Sequence, residues 1–336
     1  MPNPSTTPVR RRTPFAAESV AGLSAVVTGG SRGLGLLIGA ELLRQGCEVT
    51  LAARDADELA RAKTFLRARG GDDDTVHTAV CDVRERDQVE ALISSVARTH
   101  GSVDIVVANA GVIQVAPTAA IGAAEYEDAM RTIFDGALLT SLAALPYLRR
   151  SPAGGRLALI GSIGGLLAVP HLLPYSCAKY AVAALAEGLH AEEAAHGVTV
   201  TAVHPGLMRT GSHLHAEFGG DRAAEFAWFS ALAGTPLLSM DAERAASRIV
   251  GALRRRRPRV VLTPAGKAAD ALHGLAPVTT TRLSGLAARL LPGADGGAGG
   301  VTPGHDVRVR TGGVVGRLRG WGSALNDRAA ARFNQL

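Results

Sequence analysis

Cysteine and aromatic residues are scarce in this chain, and their scarcity limits what it can be. Its 336 residues include three cysteines and only 4% aromatic residues. Cys47, Cys81 and Cys177 are too few and too far apart for a disulfide framework or a CxxC metal site. They favour a reducing compartment, and we expect a cytoplasmic protein. With 47% hydrophobic residues, the chain can still bury a sizeable core of Ala, Val, Leu and Ile.

Long apolar runs are also lacking. No stretch reaches the roughly 18 uninterrupted apolar residues typical of a membrane-spanning helix. The first residues, MPNPSTTPVRRRTPF, contain proline and arginine but no apolar run behind the basic cluster. We therefore expect neither a membrane span nor a secretory signal.

Positive charge is concentrated near the C-terminus. Residues 251–336 hold 14 Lys+Arg and 4 Asp+Glu, a net charge of +10. The first 250 residues hold the other 22 Lys+Arg (36 − 14) and 26 Asp+Glu (30 − 4), a net charge of −4. Such a basic region is typical of contact with an anionic membrane surface, nucleic acid or an acidic partner, or of a solvated extension. Because no aromatic residues are interleaved for base stacking, we expect no nucleic acid. Contact of this tail with an anionic membrane surface stays open.

Strand-like and helix-like patterns alternate from Leu23 to about Leu262. Short Val/Ala/Leu-rich runs are separated by longer patterns with helical spacing. The alternation predicts an α/β fold with a doubly wound, parallel seven-stranded sheet, a Rossmann fold. The predicted strands are residues 24–28, 48–52, 75–80, 103–108, 156–161, 199–204 and 259–263.

Three regions follow from this pattern. We expect a flexible N-terminal segment over 1–22, the Rossmann-type domain over 23–263, and a basic, partly helical C-terminal extension over 264–336. Within the extension, 265–276 and 281–291 have helical patterns, whereas 291–304 is rich in glycine and proline and is typical of a linker.

The first predicted strand runs directly into the sequence TGGSRGLG, Thr28 to Gly35, and then into a helical pattern. A glycine-rich turn at this place lets the backbone approach a pyrophosphate, whose charge then meets free N–H groups and the positive end of the helix. An ordinary strand-to-helix turn is the simpler interpretation of glycines alone. The position in the first βα unit favours a dinucleotide site.

The spacing TGxxxGxG resembles the short-chain dehydrogenase/reductase family, and further motifs follow in order. They are CDV at 81–83, NAG at 109–111, IGSIGG with Ser162, YSCAK with Tyr175 and Lys179, and HPGLMRT at 204–210. The resemblance covers about Leu23 to Leu262 and makes 23–263 an oxidoreductase domain. It implies assembly into a homodimer or homotetramer. It also implies cofactor contacts from Thr28, Gly29, Ser31, Arg32, Gly33, Leu34, Gly35, Arg54, Asp82, Val83, Asn109, Ala110, Gly111, Tyr175, Lys179, Pro205, Gly206 and Thr210, with Asp82 at the adenine.

Charge at the end of the second strand favours NADP(H) over NAD. An NAD site normally has an acid there that accepts from the ribose 2′-OH, whereas a 2′-phosphate requires a cation. Here Ala53 takes the acidic position, Arg54 follows it, and Arg32 in the glycine turn can reach the same phosphate. Asp55 could instead pair with Arg54.

Tyr175 and Lys179 are four residues apart on a helical pattern and therefore share a face. A neighbouring ammonium and an oxidised nicotinamide would both favour the phenolate, so Tyr175 can act as an acid/base near neutral pH. The resemblance makes Ser162 the residue that holds the substrate oxygen and gives Lys179 a bond to the nicotinamide ribose. We expect hydride transfer between nicotinamide and a carbonyl or alcohol; the alternative is a non-catalytic NADP-binding sensor or scaffold.

One position departs from the family pattern. The family usually has an asparagine in the helix before the fifth strand, where it helps to hold a water behind the lysine, and Ile133 stands there in this chain. No asparagine occurs between Asn109 and Asn326. Either backbone groups hold that water and the enzyme works, or the proton relay is impaired.

The segment 211–238 falls where the family has a variable substrate lid. It gathers four aromatic residues, Phe218, Phe226, Trp228 and Phe229, which fit a buried helix face and a substrate pocket equally well. With Val112, Ile113, Val115, Leu172 and Leu173 nearby in the family fold, we expect an apolar pocket and a bulky hydrophobic ketone or alcohol. The histidines 171, 204, 213 and 215 have no acidic or cysteine partner at metal-ligand spacing, so we expect no metal.

Overall fold

Seven parallel strands form one sheet in the order β7-β6-β5-β4-β1-β2-β3. The computed structural model describes residues 16–235, 238–293, 300–307 and 326–335. The strands are β1 (Ser24–Thr28), β2 (Glu48–Ala53), β3 (Val76–Val80), β4 (Ile105–Ala108), β5 (Arg156–Ile160), β6 (Thr199–His204) and β7 (Arg259–Val261). The strand order reverses between β1 and β4. This is the doubly wound Rossmann architecture, and the predicted fold class is confirmed.

Helices cover both faces of the sheet because the central strands are apolar on both sides; all five residues of β1 are buried. One layer contains α1 (Gly33–Arg44), α2 (Ala56–Arg67) and α8 (Ala242–Arg254). The other contains α3 (Arg86–His100), α5 (Gly136–Leu148) and α6 (Leu173–Glu193). The described residues form further helices, among them α4 (Ala123–Ala129), α7 (Arg222–Gly234), α9 (Pro264–Leu275) and α10 (Pro277–Ala288).

Short elements connect the strands and helices, most of them at the carboxyl edge of the sheet. A π-helical turn, Met130–Asp135, connects α4 to α5. Leu207–Arg209 pairs in parallel with Ser239–Asp241, while Glu217–Phe218 lies between Gln114–Val115 and Thr302–Pro303. The single 3-10 turns are Thr118–Ala120, Ile163–Gly165, Ala194–His196, Ser212–Leu214 and Gly304–Asp306.

The C-terminal extension is partly helical, as predicted. Helices α9 and α10 pack against each other as a hairpin, and residues 326–332 form a further helical segment. The predicted linker 291–304 is described only at its ends, and Thr302–Pro303 pairs with Glu217–Phe218. Among the described residues, no helix combines the length and apolar character needed to cross a bilayer.

At the other end of the chain, residues 1–15 lie outside the described residues. Val20 is buried in the core, and the Glu18 amide donates to the Arg254 carbonyl at 2.9 Å. The domain boundaries at 23 and 263 remain predictions.

Candidate active site

The strand order reverses between β1 and β4, and this is where the predicted cofactor residues begin. Asn109, just after β4, donates from Nδ2 to the carbonyl oxygens of Thr28 at 3.1 Å and Gly29 at 3.0 Å. Its own amide donates to Thr28 Oγ1 at 3.1 Å. These bonds fix the width of the crevice between the two strand ends, the usual ligand position in an open α/β sheet.

The glycine-rich turn requires glycine at two positions for different reasons. Gly33 has φ of 54°, a conformation that L side chains rarely adopt. At Gly35, an added Cβ would lie 2.1 Å from the Gly29 carbonyl oxygen. Leu34, between them, is buried in the core, and its side chain anchors the turn. The backbone of the turn lies beside the crevice, where α1 begins. A pyrophosphate fits such a turn.

Arg32 is not free at this turn. Its guanidinium pairs with the carboxylate of Glu58 on α2, and Ser31 Oγ donates to the same carboxylate at 2.7 Å. Asp55 does not pair with Arg54; it caps α2 by accepting from the Glu58 amide at 2.8 Å. Arg54 is exposed and has no ion pair or hydrogen bond with any described residue.

Asp82 and Val83 follow β3. Arg84 donates to both carboxylate oxygens of Asp82, at 3.0 Å from Nε to each and 2.6 Å from Nη2, and holds the pKa of that carboxyl below its usual value. Val83 is buried, and its side chain packs at the start of α5, where a Cβ added to Gly136 would lie 2.7 Å from it. Only the backbone of Val83 can therefore serve a ligand.

The segment after β6 crosses the same edge. The Pro205 carbonyl accepts from the Ile163 amide at 2.8 Å, and a Cβ on Gly206 would lie 2.4 Å from Thr263 Oγ1. Thr210 is buried, and its Cβ lies 3.9 Å from where a Cβ on Gly33 would be. Thr210, one of the predicted cofactor contacts, thus faces the glycine-rich turn.

Ser162, Tyr175 and Lys179 converge beyond the end of β5. Ser162 Oγ accepts from the Gly164 amide at 3.0 Å. A Cβ added to Gly164 would lie 3.4 Å from Tyr175 Cε1 and 3.5 Å from Ser162 Oγ, so the two side chains face each other there. Lys179 donates to the Ile160 carbonyl at 2.6 Å, with its Nζ 5.6 Å from the centre of the Tyr175 ring. The pair lies on one face of α6, as their spacing predicts.

Burial sets the protonation of this group. It lowers the pKa of Lys179 to about 8, because the ammonium has lost most of its water. It also raises the pKa of Tyr175, and the neighbouring Ser162 hydroxyl, which lowers that pKa, opposes this only in part. The phenolate that the sequence leads us to expect is therefore disfavoured in the protein alone.

Ile133 is buried within the π-helical turn beside this group. A Cβ added to Gly111 would lie 3.5 Å from Ile133 Cγ1 and 3.8 Å from Lys179 Nζ. The isoleucine and the ammonium therefore face the same point. Ala110, the residue before Gly111, lies against the glycine-rich turn, since a Cβ added to Gly29 would lie 2.8 Å from Ala110 Cα.

The aromatic residues of the predicted lid form a small core. Phe218, Phe226 and Phe229 are buried, and the Phe218 ring lies 5.2 Å and 5.9 Å from the other two rings. Val115 and Leu172 belong to the same cluster, and half-buried Ile113, Trp228 and Tyr175 pack against it. The cluster is a buried face whose margin reaches Tyr175.

A buried carboxylate beside this cluster was not anticipated. Glu225 accepts from Trp228 Nε1 at 2.6 Å and contacts His171 Nδ1 at 2.7 Å, and burial raises its pKa. His171 has φ of 64°. Nothing local in the sequence signals the pair, since 54 residues separate its members.

The other histidines have separate neighbours. His213 pairs with Asp327, His215 contacts the Gln335 carbonyl, and His204 contacts the Ser162 carbonyl. Over the part of the chain that the structure describes, no three His, Cys, Asp or Glu side chains are grouped as metal ligands.

Comparison with known proteins decides the family. A model of the short chain dehydrogenase family matches residues 24–217. The chain belongs to this family. It is therefore an oxidoreductase of the class that acts on CH–OH and C=O groups with a nicotinamide cofactor, NAD(P)(H). Members of the family bind small molecules and are typically oligomeric.

The chain is similar to several named members of this family. It is 33% identical over 193 residues to gluconate 5-dehydrogenase of Gluconobacter oxydans (strain 621H), covering 57% of this chain and 73% of that protein. It is 31% identical over 265 residues to a dehydrogenase/reductase SDR family protein 7-like of Anopheles gambiae, covering 78% and 81%. A crystal structure of a short-chain type dehydrogenase/reductase from Mycobacterium marinum has a TM-score of 0.62 at 24% identity, covering 73% and 95%, which shows the fold.

Proposed function

We propose that this short-chain dehydrogenase is NADP-dependent and transfers a hydride between nicotinamide and a hydrophobic ketone or secondary alcohol, with Tyr175 as the general acid/base. The observation that carries the proposal is the convergence of the Ser162 and Tyr175 hydroxyls with buried Lys179 at the sheet edge that bears the glycine-rich turn. A binding module has no need of this acid/base group.

The three side chains divide the proton chemistry. A substrate carbonyl oxygen placed between Ser162 and Tyr175 accepts a hydrogen bond from each hydroxyl. When bound, the nicotinamide supplies the hydride to the carbonyl carbon. Tyr175 then gives its proton to the oxygen, and the nearby Lys179 ammonium stabilises the phenolate that remains. In the oxidative direction the same groups act in reverse.

The proposal of NADP depends on charge at the adenosine end. Ala53 leaves the end of β2 without an acid, and the exposed guanidinium of Arg54 is available to a 2′-phosphate. Arg32 would be a second contact, but Glu58 holds it. The preference for NADP is therefore expected to depend chiefly on Arg54.

A hydrophobic substrate is supported by the apolar cluster whose margin reaches Tyr175. Leu172 and Val115 belong to it, together with the three buried phenylalanines. One relative is named for gluconate, a polar sugar acid, so the proposed substrate class depends on this lining.

A screen of hydrophobic ketones, followed by nicotinamide absorbance with NADPH and NADH in parallel, tests the proposal. Tyr175→Phe is expected to lower turnover by about 10²- to 10⁴-fold, the usual contribution of a positioned acid/base. Tyr180→Phe, on an exposed position of the same helix, serves as the control. Undiminished turnover in Tyr175→Phe would remove the mechanism; tight NADPH binding without turnover on any ketone would favour the sensor or scaffold.

Two surfaces support proposals about partners. Helices α9 and α10 carry exposed apolar residues beside Lys267, Arg282 and Arg289, and we propose that this hairpin contacts an anionic membrane surface. Leu142 on α5 and Tyr180 on α6 are also exposed, which supports a homodimer or homotetramer formed through these helices.

We also propose a cytoplasmic location. All three cysteines are free, which suits a reducing compartment. Cell fractionation with recovery of the protein among periplasmic or secreted proteins would contradict it.

A further inference from the structure

Residues 333–335 lie on the glycine-rich turn. We call residues 326–335 the C-terminal clasp. Ala329 and Phe333 of the clasp are buried in the same core as α1 and α8. Asn326 Oδ1 accepts from the Gly211 amide at 2.9 Å, and Asp327 contacts His213 Nε2 at 2.9 Å. The clasp is therefore packed into the fold.

The tip of the clasp bonds to the backbone of the turn. The Gly33 amide, the first residue of α1, donates to the Phe333 carbonyl at 3.0 Å. Asn334 Nδ2 donates to the carbonyl oxygens of Ser31 at 2.8 Å and Glu58 at 3.1 Å. Arg61 Nε donates to Asn334 Oδ1 at 2.9 Å. Residues about 300 positions apart are thus joined at the dinucleotide end of the sheet.

The Gln335 side chain fills the space above Gly33. Its Nε2 lies 2.6 Å from where a Cβ on Gly33 would be, on the side where Thr210 also lies. Gln335 is buried, its carbonyl accepts from His215 Nε2 at 3.0 Å, and its Oε1 has no hydrogen-bond partner among the described residues. An amide oxygen that is buried without a donor is energetically costly, so this contact is a weak point of the clasp.

The clasp and a bound dinucleotide would contact the same backbone groups of the glycine-rich turn. A pyrophosphate at this turn uses the free N–H groups and the positive end of α1, and the charge favours a phosphate over a neutral carbonyl or amide. We propose that the tip of the clasp, residues 333–335, is an intramolecular competitor of the dinucleotide and is displaced from the turn when the dinucleotide binds. The inference rests on the proposed dinucleotide binding. The apparent Kd is then the Kd of the open turn divided by the fraction of molecules whose tip is undocked.

Full-length variants test the competition through NADPH affinity, measured by calorimetry. Asn334→Ala removes three hydrogen bonds and places alanine at φ of 57°, which disfavours the docked tip. We expect Asn334→Ala, which loosens the tip, and Gln335→Ala, which empties the space above Gly33, to lower the Kd for NADPH about tenfold, and the Kd for inorganic pyrophosphate in the same direction. Arg328→Ala, an exposed clasp residue with no bond to a described residue, should leave both unchanged.

Hydrogen exchange supplies a readout independent of affinity. NADPH is expected to increase amide exchange in peptides covering 333–335 and to decrease it at residues 28–35. Weaker NADPH binding by Asn334→Ala and Gln335→Ala, or a tip that stays protected with NADPH bound, would overturn the inference by making the tip part of the cofactor site. If no variant binds NADPH or NADH, the proposed function fails instead.

Discussion

Lys179 combines burial with an apolar neighbour, and this sets its titration. Its ammonium donates a hydrogen bond to the Ile160 carbonyl, and Ile133 faces the same point as the ammonium. With a pKa of about 8, the positive charge is fully present below that pH and is lost as pH rises through it. The positive charge of Lys179, which would stabilise the Tyr175 phenolate, is therefore expected to be lost on the alkaline side of that pKa.

Ile133→Asn should leave turnover unchanged or raise it, because an amide gives the ammonium a polar neighbour. The pKa of Lys179 then rises, and the alkaline limb of the kcat profile moves to higher pH. Ile133→Val, which stays apolar, should leave that limb in place. A large loss of turnover in Ile133→Asn would reveal a positive role for the isoleucine.

Glu58 pairs with Arg32 and would compete with a cofactor 2′-phosphate for its guanidinium. Replacing it with glutamine removes the ion pair and frees the guanidinium for a 2′-phosphate, so Glu58→Gln should raise the NADPH/NADH ratio of kcat/KM about tenfold. Glu41→Gln breaks a comparable pair, with Arg44, away from the site. An unchanged ratio, or one that moves toward NADH, would show that Arg32 does not contact the phosphate.

Sequence spacing was informative for some of these residues and silent for others. Ser162, Tyr175 and Lys179 lie within one βα unit, so their separation along the chain predicts their proximity. Arg32 lies in the turn before α1 and Glu58 lies on α2, and Asn334 meets Ser31 only through the tertiary fold. Contacts of that kind leave no local pattern.

At the scale of elements, the predicted strands agree with the observed ones to within about two residues, and the differences have causes. β7 ends at Val261 rather than at 263 because Thr263 caps α9, accepting from the Gly266 amide at 3.0 Å. β4 begins at Ile105 rather than at 103, after Asp104 has bonded to the Ser24 carbonyl. The π-helical turn could not be foreseen, since its residues fit an ordinary helix.

The α9–α10 hairpin is the element with the most unusual surface. Only Gly266 and Thr280 of its two helices are buried, whereas six large apolar residues are exposed. They are Leu272, Leu275, Val278, Leu283, Leu286 and Leu290, the last of these just beyond α10. The hairpin has one acid, Asp270, which pairs with Arg259.

Sedimentation with vesicles of phosphatidylglycerol and phosphatidylcholine tests membrane contact. The protein should bind, and added salt should weaken binding. The double change Leu275→Glu and Leu290→Glu should weaken it about tenfold or more, because it replaces inserted apolar groups with charges that anionic lipid repels. Val80→Glu, at an exposed position of the edge strand, is the matched control. Sedimentation of the double variant equal to that of the unaltered protein would exclude the hairpin as the membrane-binding surface.

For the whole molecule, the second helical layer carries the surface that we propose for assembly. Leu142 is 47% exposed and Tyr180 39% exposed, which is unusual for large side chains on helices that flank the sheet. We expect light scattering to give the mass of a dimer or tetramer of the 34.5 kDa chain. The pair Leu142→Glu and Tyr180→Glu should shift it toward the monomer, since two buried charges oppose association. Leu272→Glu should not, and a monomeric unaltered protein would contradict the proposal.

The chain has two tryptophans, and Trp228 packs in the cluster that meets Tyr175. Excitation of its indole passes readily to a reduced nicotinamide held close by. Emission from Trp228 would therefore dim as the cleft fills, including in variants that have lost turnover. Changing Trp321 to phenylalanine leaves this ring as the sole indole, so the molecule carries its own optical probe of occupancy.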